Sequence, residues 1–412
     1  MHNKILSNLT NPAALERLYR SNKSNFKKEF SSLYPEVDNT ALVQFWYERL
    51  NYEIEEVSWG SKNDIFFILL VSIIAGLLAK IPEYLNISED FFYPRNAGFL
   101  VLPFITVFFA WKNNLSQIKI WVLASAFLLS IIYINLLPEN LESDTIILAC
   151  IHLPFILWVL AGVSYISDLR SSVKKMEFLR FNGDAAVMTA LLLIACGLLT
   201  GITIGLFELI KIQISEFYFN YVVIFCLPAI PIIAVYLTQT NPQLVNRVSP
   251  IIARIFSPIV LVMLIVYLIT IIFSGKDFYN DREFLLLFNI LLIGVMALIF
   301  FSVAENFTKE NAFGKWIVFL LALVTICVNG IALSAILFRI SEWGFTPNRL
   351  AVLGGNIVIL IHLLIVSFQL LKTIQKRASY AQVGNTVTKY IPVYFVWACI
   401  VVFLFPILFK FQ

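Results

Sequence analysis

From residue 65 to the end of the chain, long apolar runs alternate with short polar breaks. A helix needs about 20 apolar residues to cross roughly 30 Å of hydrocarbon, and these runs are that long. The period-two alternation of a membrane barrel is absent, which leaves helices as the spanning structure. The pattern predicts eleven spans, at approximately 65–84, 96–111, 118–138, 145–167, 185–209, 217–238, 252–274, 284–304, 316–338, 350–371 and 390–409. The expected fold class is therefore an all-α integral membrane protein, with residues 65–412 forming a polytopic transmembrane domain.

Residues 1–64 read differently, as a separate helical segment. In NPAALERLYRSNKSNFKKEFSSLYPEV, Asn11 is placed to cap a helix and Pro12 to occupy its first position. Leu15, Leu18, Tyr19, Phe26 and Phe30 recur at helical spacing, and Pro35 is the expected stop. Thr40 then caps ALVQFWYERLNYEIEEV, whose apolar positions are Leu42, Phe45, Trp46, Leu50 and Ile54. Such an amphipathic helical pair builds only a small core by itself. Two destinations follow: docking on the membrane domain, or a protein partner held through residues 1–64. About 60 largely polar residues precede the first apolar run, so that run reads as a retained helix and not a cleaved signal.

Charge adds an orientation. With the N-terminus inside, the inner segments hold 22 Lys and Arg against 8 outside, while acidic residues divide 14 to 12. Basic residues set the rule, so the chain is expected N-in and C-out. The net charge of +4 is thinly spread and does not mark a nucleic-acid binder. Charged residues make up only 14% of the chain, as a bilayer-embedded protein requires. The five cysteines, Cys150, Cys196, Cys226, Cys327 and Cys399, all fall in spans without C-x-x-C spacing and read as packing residues.

Candidate chemistry is sparse. His152 and His362 are the intramembrane histidines, roughly 12 and 20 Å from the outer boundary at 1.5 Å per residue. They are a candidate polar pair for proton relay; the plainer role is a hydrogen bond from each to a neighbouring helix. No carboxylate or cysteine stands at ligand spacing with either, so no metal site is expected. Gly197, Gly201 and Gly205 in CGLLTGITIG form a small-x-x-x-small seam for close helix approach. Prolines 103, 154, 228, 231, 258 and 406 bend spans, with or without a substrate. No carboxylate sits deep in a predicted span: Asp184 and Glu305 fall at inner edges and Glu208 at an outer one.

The stretch RISEWGFTPNR, residues 339–349, crowds two arginines and a glutamate into an outer hairpin. Arg339 closes one helix, Glu342 can pair with it, and Thr346–Pro347 open the next. The bland outcome is a well-built hairpin. The sharper one is an anion or lipid-headgroup site from Arg339, Glu342 and Arg349, with Asp281 and Arg282 of the neighbouring outer loop. No G-x-S-x-G, H-E-x-x-H, Walker or G-x-G-x-x-G motif is present, so no catalytic residue and no cofactor is expected.

Several of these stretches resemble a known family. NPAALERLYRSNKSNFKKEF with FWYERLNYE, the run from IFSPIVLVMLIVYLITIIFSGKDFYNDREF to FFSVAE, and RISEWGFTPNRLAVL are similar to the bacterial domain of unknown function 4153, in its Bacteroidetes-type members. The resemblance covers nearly the whole chain, and the RISEWGFTPNR and YNDREF strings are its most specific parts. It implies a multi-pass protein of the bacterial cytoplasmic (inner) membrane and carries no catalytic or binding residue with it. Three functions stay open: a membrane binding, scaffold or sensor component of the envelope; a secondary transporter or permease of a small solute; and a membrane-embedded lipid-processing enzyme.

Overall fold

The computed structural model describes the chain apart from residues 1, 22, 35, 36, 38, 39, 52–59, 141, 243–248, 275–278, 280, 281 and 307–311. The chain divides into two compact units, residues 1–58 and 59–412.

Among the described residues the first unit holds four helices, His2–Leu6, Pro12–Ser21, Lys23–Leu33 and Ala41–Asn51, where the sequence pattern suggested two. Asn11 caps the second, its Oδ1 accepting from the Ala14 amide at 3.1 Å. Thr40 Oγ1 likewise accepts from Val43 at 3.4 Å. Leu15, Phe26, Phe30, Val43, Trp46 and Leu50 close a small core, and Phe45 points out instead. Where the pattern predicts one long helix, two form, Pro12–Ser21 and Lys23–Leu33, and the rings of Phe26 and Trp46 lie 5.2 Å apart. Pro35 and Ile54 lie outside the described residues.

The second unit is all-helical, and among the described residues eleven helices are long and apolar enough to cross a membrane. They are Lys62–Ala79, Glu89–Lys112, Gln117–Leu136, Asp144–Ile166, Ser172–Leu209, Ser215–Thr240, Ala253–Thr270, Leu285–Glu305, Phe313–Trp343, Pro347–Ile374 and Tyr380–Leu408, here spans one to eleven. The protein is a polytopic membrane protein. Hydrogen bonds and ion pairs tie the starts of spans one, three and five to the ends of two, four and eight. At the other end the Thr145 amide donates to the Gln412 carbonyl. Spans one, three and five thus run opposite to spans two, four and eight.

Several helices outrun their apolar stretch. Span five begins at Ser172, inside what hydropathy marks as a loop, and continues unbroken for 38 residues. That is about 57 Å at 1.5 Å per residue, far more than the hydrocarbon needs. Its first half is the packing post of the fold. Met176 enters the core shared with spans seven to eleven, while Phe181 and Ala185 enter the core of spans one, two, four and six. Beyond Met188 no residue of the helix is buried.

Span two is broken. It is α-helical over Glu89–Asn96, tightens to a 3-10 turn over Ala97–Leu100, and resumes at Leu102 with Pro103 in the first turn. Pro103 has no amide to donate, so the turn cannot close as an α-helix. Gly98 at the break lies against span four, where a Cβ would stand 3.6 Å from Pro154 Cα. In spans six and eleven the irregularity is a π-helical stretch, at Tyr218–Val223 and Ile400–Leu404. None of the five cysteines is buried; Cys327 is exposed.

Candidate functional site

Charged side chains gather where the spans start and end. Ser61 and Asp64 form a reciprocal cap on span one, each side chain accepting from the other's amide at 3.2 Å. The same carboxylate takes Lys112 Nζ, in the last turn of span two, at 2.7 Å. A carboxylate is favoured at a helix N-terminus and a cation at a C-terminus, so both dipoles support this pair. Further round the same end, Arg180 Nε of span five meets Glu305 Oε1 of span eight at 2.9 Å. Gly183 faces Phe301 so closely that a Cβ would collide with the ring, which lets these helices approach. Asp184, one turn beyond Arg180, is buried, and it and Arg254 lie close enough to Glu305 to act on its charge. The sequence places Asp184 and Glu305 at span edges; packing buries both, and Asp64 with them.

The histidines have separate surroundings. His152 Nδ1 contacts the Leu148 carbonyl of its own helix at 2.8 Å. His362 is wholly buried, with Nδ1 at 3.1 Å from the Tyr394 hydroxyl and its ring stacked 4.4 Å from that of Tyr390. Phe300 closes another side at 4.9 Å, and Nε2 has no hydrogen-bond partner among the described residues. No hydrogen bond or ring contact links the two histidines among the described residues.

In RISEWGFTPNR the helix of span nine runs on to Trp343, and span ten begins at Pro347. The connection is only Gly344 to Thr346, with Gly344 at φ +75 and Thr346 Oγ1 accepting from the Arg349 amide. Arg349 Nη1 donates to the carbonyls of Trp343 and Gly344 at 2.8 and 2.7 Å, capping span nine. Arg339 and Arg349 both approach the Trp343 ring, at 4.9 and 5.7 Å from its centroid. Glu342 is exposed and forms no ion pair among the described residues. Asp281, with Lys276 and Asp277, lies outside the described residues, as does the Arg282 side chain.

The glycine seam is bare. A Cβ added at Gly197, Gly201 or Gly205 would meet no atom within 4 Å. Among the described residues no other helix fills that face.

Arg95 was not singled out by sequence, because hydropathy starts the second span just after it. Its guanidinium reaches across to span three, donating to the carbonyls of Ile134, Leu137 and Pro138 at 2.8, 3.0 and 2.8 Å. Beside it, Asn96 and Asn135 exchange reciprocal amide hydrogen bonds of 2.9 Å. The available signal was a lone arginine in YPRN abutting an apolar run, since a charge beside the hydrocarbon needs a partner. Comparison with family models, curated proteins and solved structures gives no match for this chain.

Proposed function

We propose that this polytopic protein is a binding or scaffold component of a bacterial cytoplasmic membrane, oriented N-in and C-out, and akin to the domain of unknown function 4153. The observation that carries the binding role is the second half of span five. From Thr189 to Leu209 none of its residues is buried, and its small-residue face is open. Lipid tails are as apolar as leucine, so a smooth helix gains nothing from glycines facing lipid. Glycines at four-residue spacing do gain close backbone packing against another helix. Residues 1–58 add a compact helical unit on which a protein partner can also act.

The test places a photo-crosslinking amino acid at Leu198, beside the seam, in the full-length protein in its native membrane. A discrete protein adduct that disappears in Gly201→Leu supports the reading. Adducts with lipid alone overturn it.

A second reading, a permease for a small solute, draws on the broken second span and the buried His362. Discontinuous helices line the solute sites of many carriers. Solute uptake by vesicles that is lost in His362→Gln, with the protein still folded, would favour it over the scaffold.

A further inference from the structure

A groove of about 340 Å³ opens between spans one, two and three at the break in span two. Its walls include Leu78 of span one, Phe92, Phe99 and Pro103 of span two, and Leu128 and Ile131 of span three. The one polar lining residue is Asn96, whose amide is bound reciprocally to Asn135. The groove therefore asks for no hydrogen bond from an occupant. Leu128 stands 59% exposed at its edge, so the opening faces sideways, toward bilayer hydrocarbon.

Arg95 stands just along span three from this groove. Its bonds go to residues three to seven positions beyond Ile131, about 5–10 Å along the helix axis. Arg95 is 5% exposed, and no ion pair among the described residues includes it. Its three carbonyl partners close the C-terminus of span three, which carries roughly half a negative charge. That offsets part of a full positive charge. Glu139, in the following loop, is exposed and acts on Arg95 without touching it. A buried cation short of countercharge favours an anion. Phe91, with its ring centroid 4.2 Å from the guanidinium carbon, orients the group.

We propose that this site binds an anionic phospholipid of the bilayer, with one acyl chain in the groove and the headgroup phosphate at Arg95. Charge selects the headgroup, and the apolar walls hold the tail.

The test uses the full-length protein in phosphatidylcholine vesicles doped with phosphatidylglycerol bearing a diazirine on its acyl chain. Diazirine-tailed phosphatidylcholine is the control probe. The expected result is several-fold greater labelling of residues 92–104 and 127–131 by the phosphatidylglycerol probe. Ile131→Trp fills the groove without touching any Arg95 bond, and should remove that excess. Arg95→Gln should equalise the two probes where the variant folds, and Ile131→Trp decides the matter where it does not. Equal labelling of the wild type by both probes, or an excess that survives Ile131→Trp, overturns the proposal.

Discussion

Trp397 of span eleven lies flat on the backbone of span ten at Gly354, where even a methyl group would collide with the indole. This is a glycine whose use is internal packing. Gly201 of span five is the opposite case: an added Cβ there would meet no atom within 4 Å among the described residues. The same residue type thus serves two ends, and substitution separates them. Gly354→Ala overpacks the span ten–eleven interface and should cost about 1–3 kcal/mol. Gly201→Ala should leave the isolated protein within about 0.5 kcal/mol of wild type. Thermal unfolding of both variants in detergent checks the contrast. A large loss at Gly201 in a monomeric sample would show that its face is packed after all.

That contrast also marks what hydropathy can and cannot read. It locates the eleven spans because burying a charge in hydrocarbon is costly at every position of a span. Helix ends escape it, because a helix continues through the headgroup layer once its hydrogen bonds are under way. Hence Ser172–Gly183, Arg339–Trp343 and Tyr380–Lys389 are helical where hydropathy suggests loops. Contacts distant in sequence escape it as well. Arg180 and Glu305 are 125 positions apart, and nothing local in either stretch announces the pair. Arg95 could be suspected from its place beside an apolar run, but its carbonyl partners lie 39 to 43 positions on. The glycine seam was visible as a spacing; that no helix among the described residues covers it was not.

His362 and His152 should respond very differently to substitution. His362→Ala empties a site enclosed by Phe300, Tyr390 and Tyr394, and losses of about 3–5 kcal/mol are usual for deleting a buried ring. His362→Phe keeps an aromatic ring and removes the unpartnered Nε2, at the loss of the Tyr394 hydrogen bond, so its cost should fall below that of His362→Ala. His152→Ala gives up a bond to its own helix from a half-buried position. About 1 kcal/mol is the ceiling expected there. Denaturant titration of the three variants gives the ranking, and a His152 effect matching that of His362→Ala would refute it.

The N-terminal unit should weaken in acid. Glu16 is held by Arg20 at 2.8 Å and by Arg49 at 3.0 Å. The Arg20 hydrogen bond is the largest influence on its carboxyl; desolvation, next in size, opposes it, and Arg49 joins Arg20 to hold the group below the usual carboxylate range. A depressed folded-state pKa means that the unfolded chain takes up the proton first. The stabilisation is complete above about pH 4.3, the unfolded value, and is lost as pH falls through the folded one. Glu16→Gln should remove this part of the acid sensitivity. The 19F signal of fluorotryptophan at Trp46, in the core of the unit, reports it. Identical acid titrations of wild type and Glu16→Gln would rule the linkage out.

The Arg180–Glu305 pair should be asymmetric, because its members are unequally buried. The Arg180 side chain is 28% exposed and that of Glu305 5%. Arg180→Ala takes a hydrogen-bonded cation from a carboxylate with little access to water, and removing one partner of a buried pair costs about 3–5 kcal/mol. Glu305→Ala leaves a guanidinium that water can partly reach, so about 1–3 kcal/mol is expected. Exchanging the charges, with Arg180→Glu and Glu305→Arg together, should recover only part of the loss. It places a glutamate one turn from Asp184 on the same helix, and like charges at that spacing repel. Adding Asp184→Asn to the exchanged pair removes the repulsion and should raise stability further. If the exchange alone restored full wild-type stability, Asp184 would have no part in the network. Recovery that waits for Asp184→Asn identifies a shared electrostatic cluster joining spans five and eight.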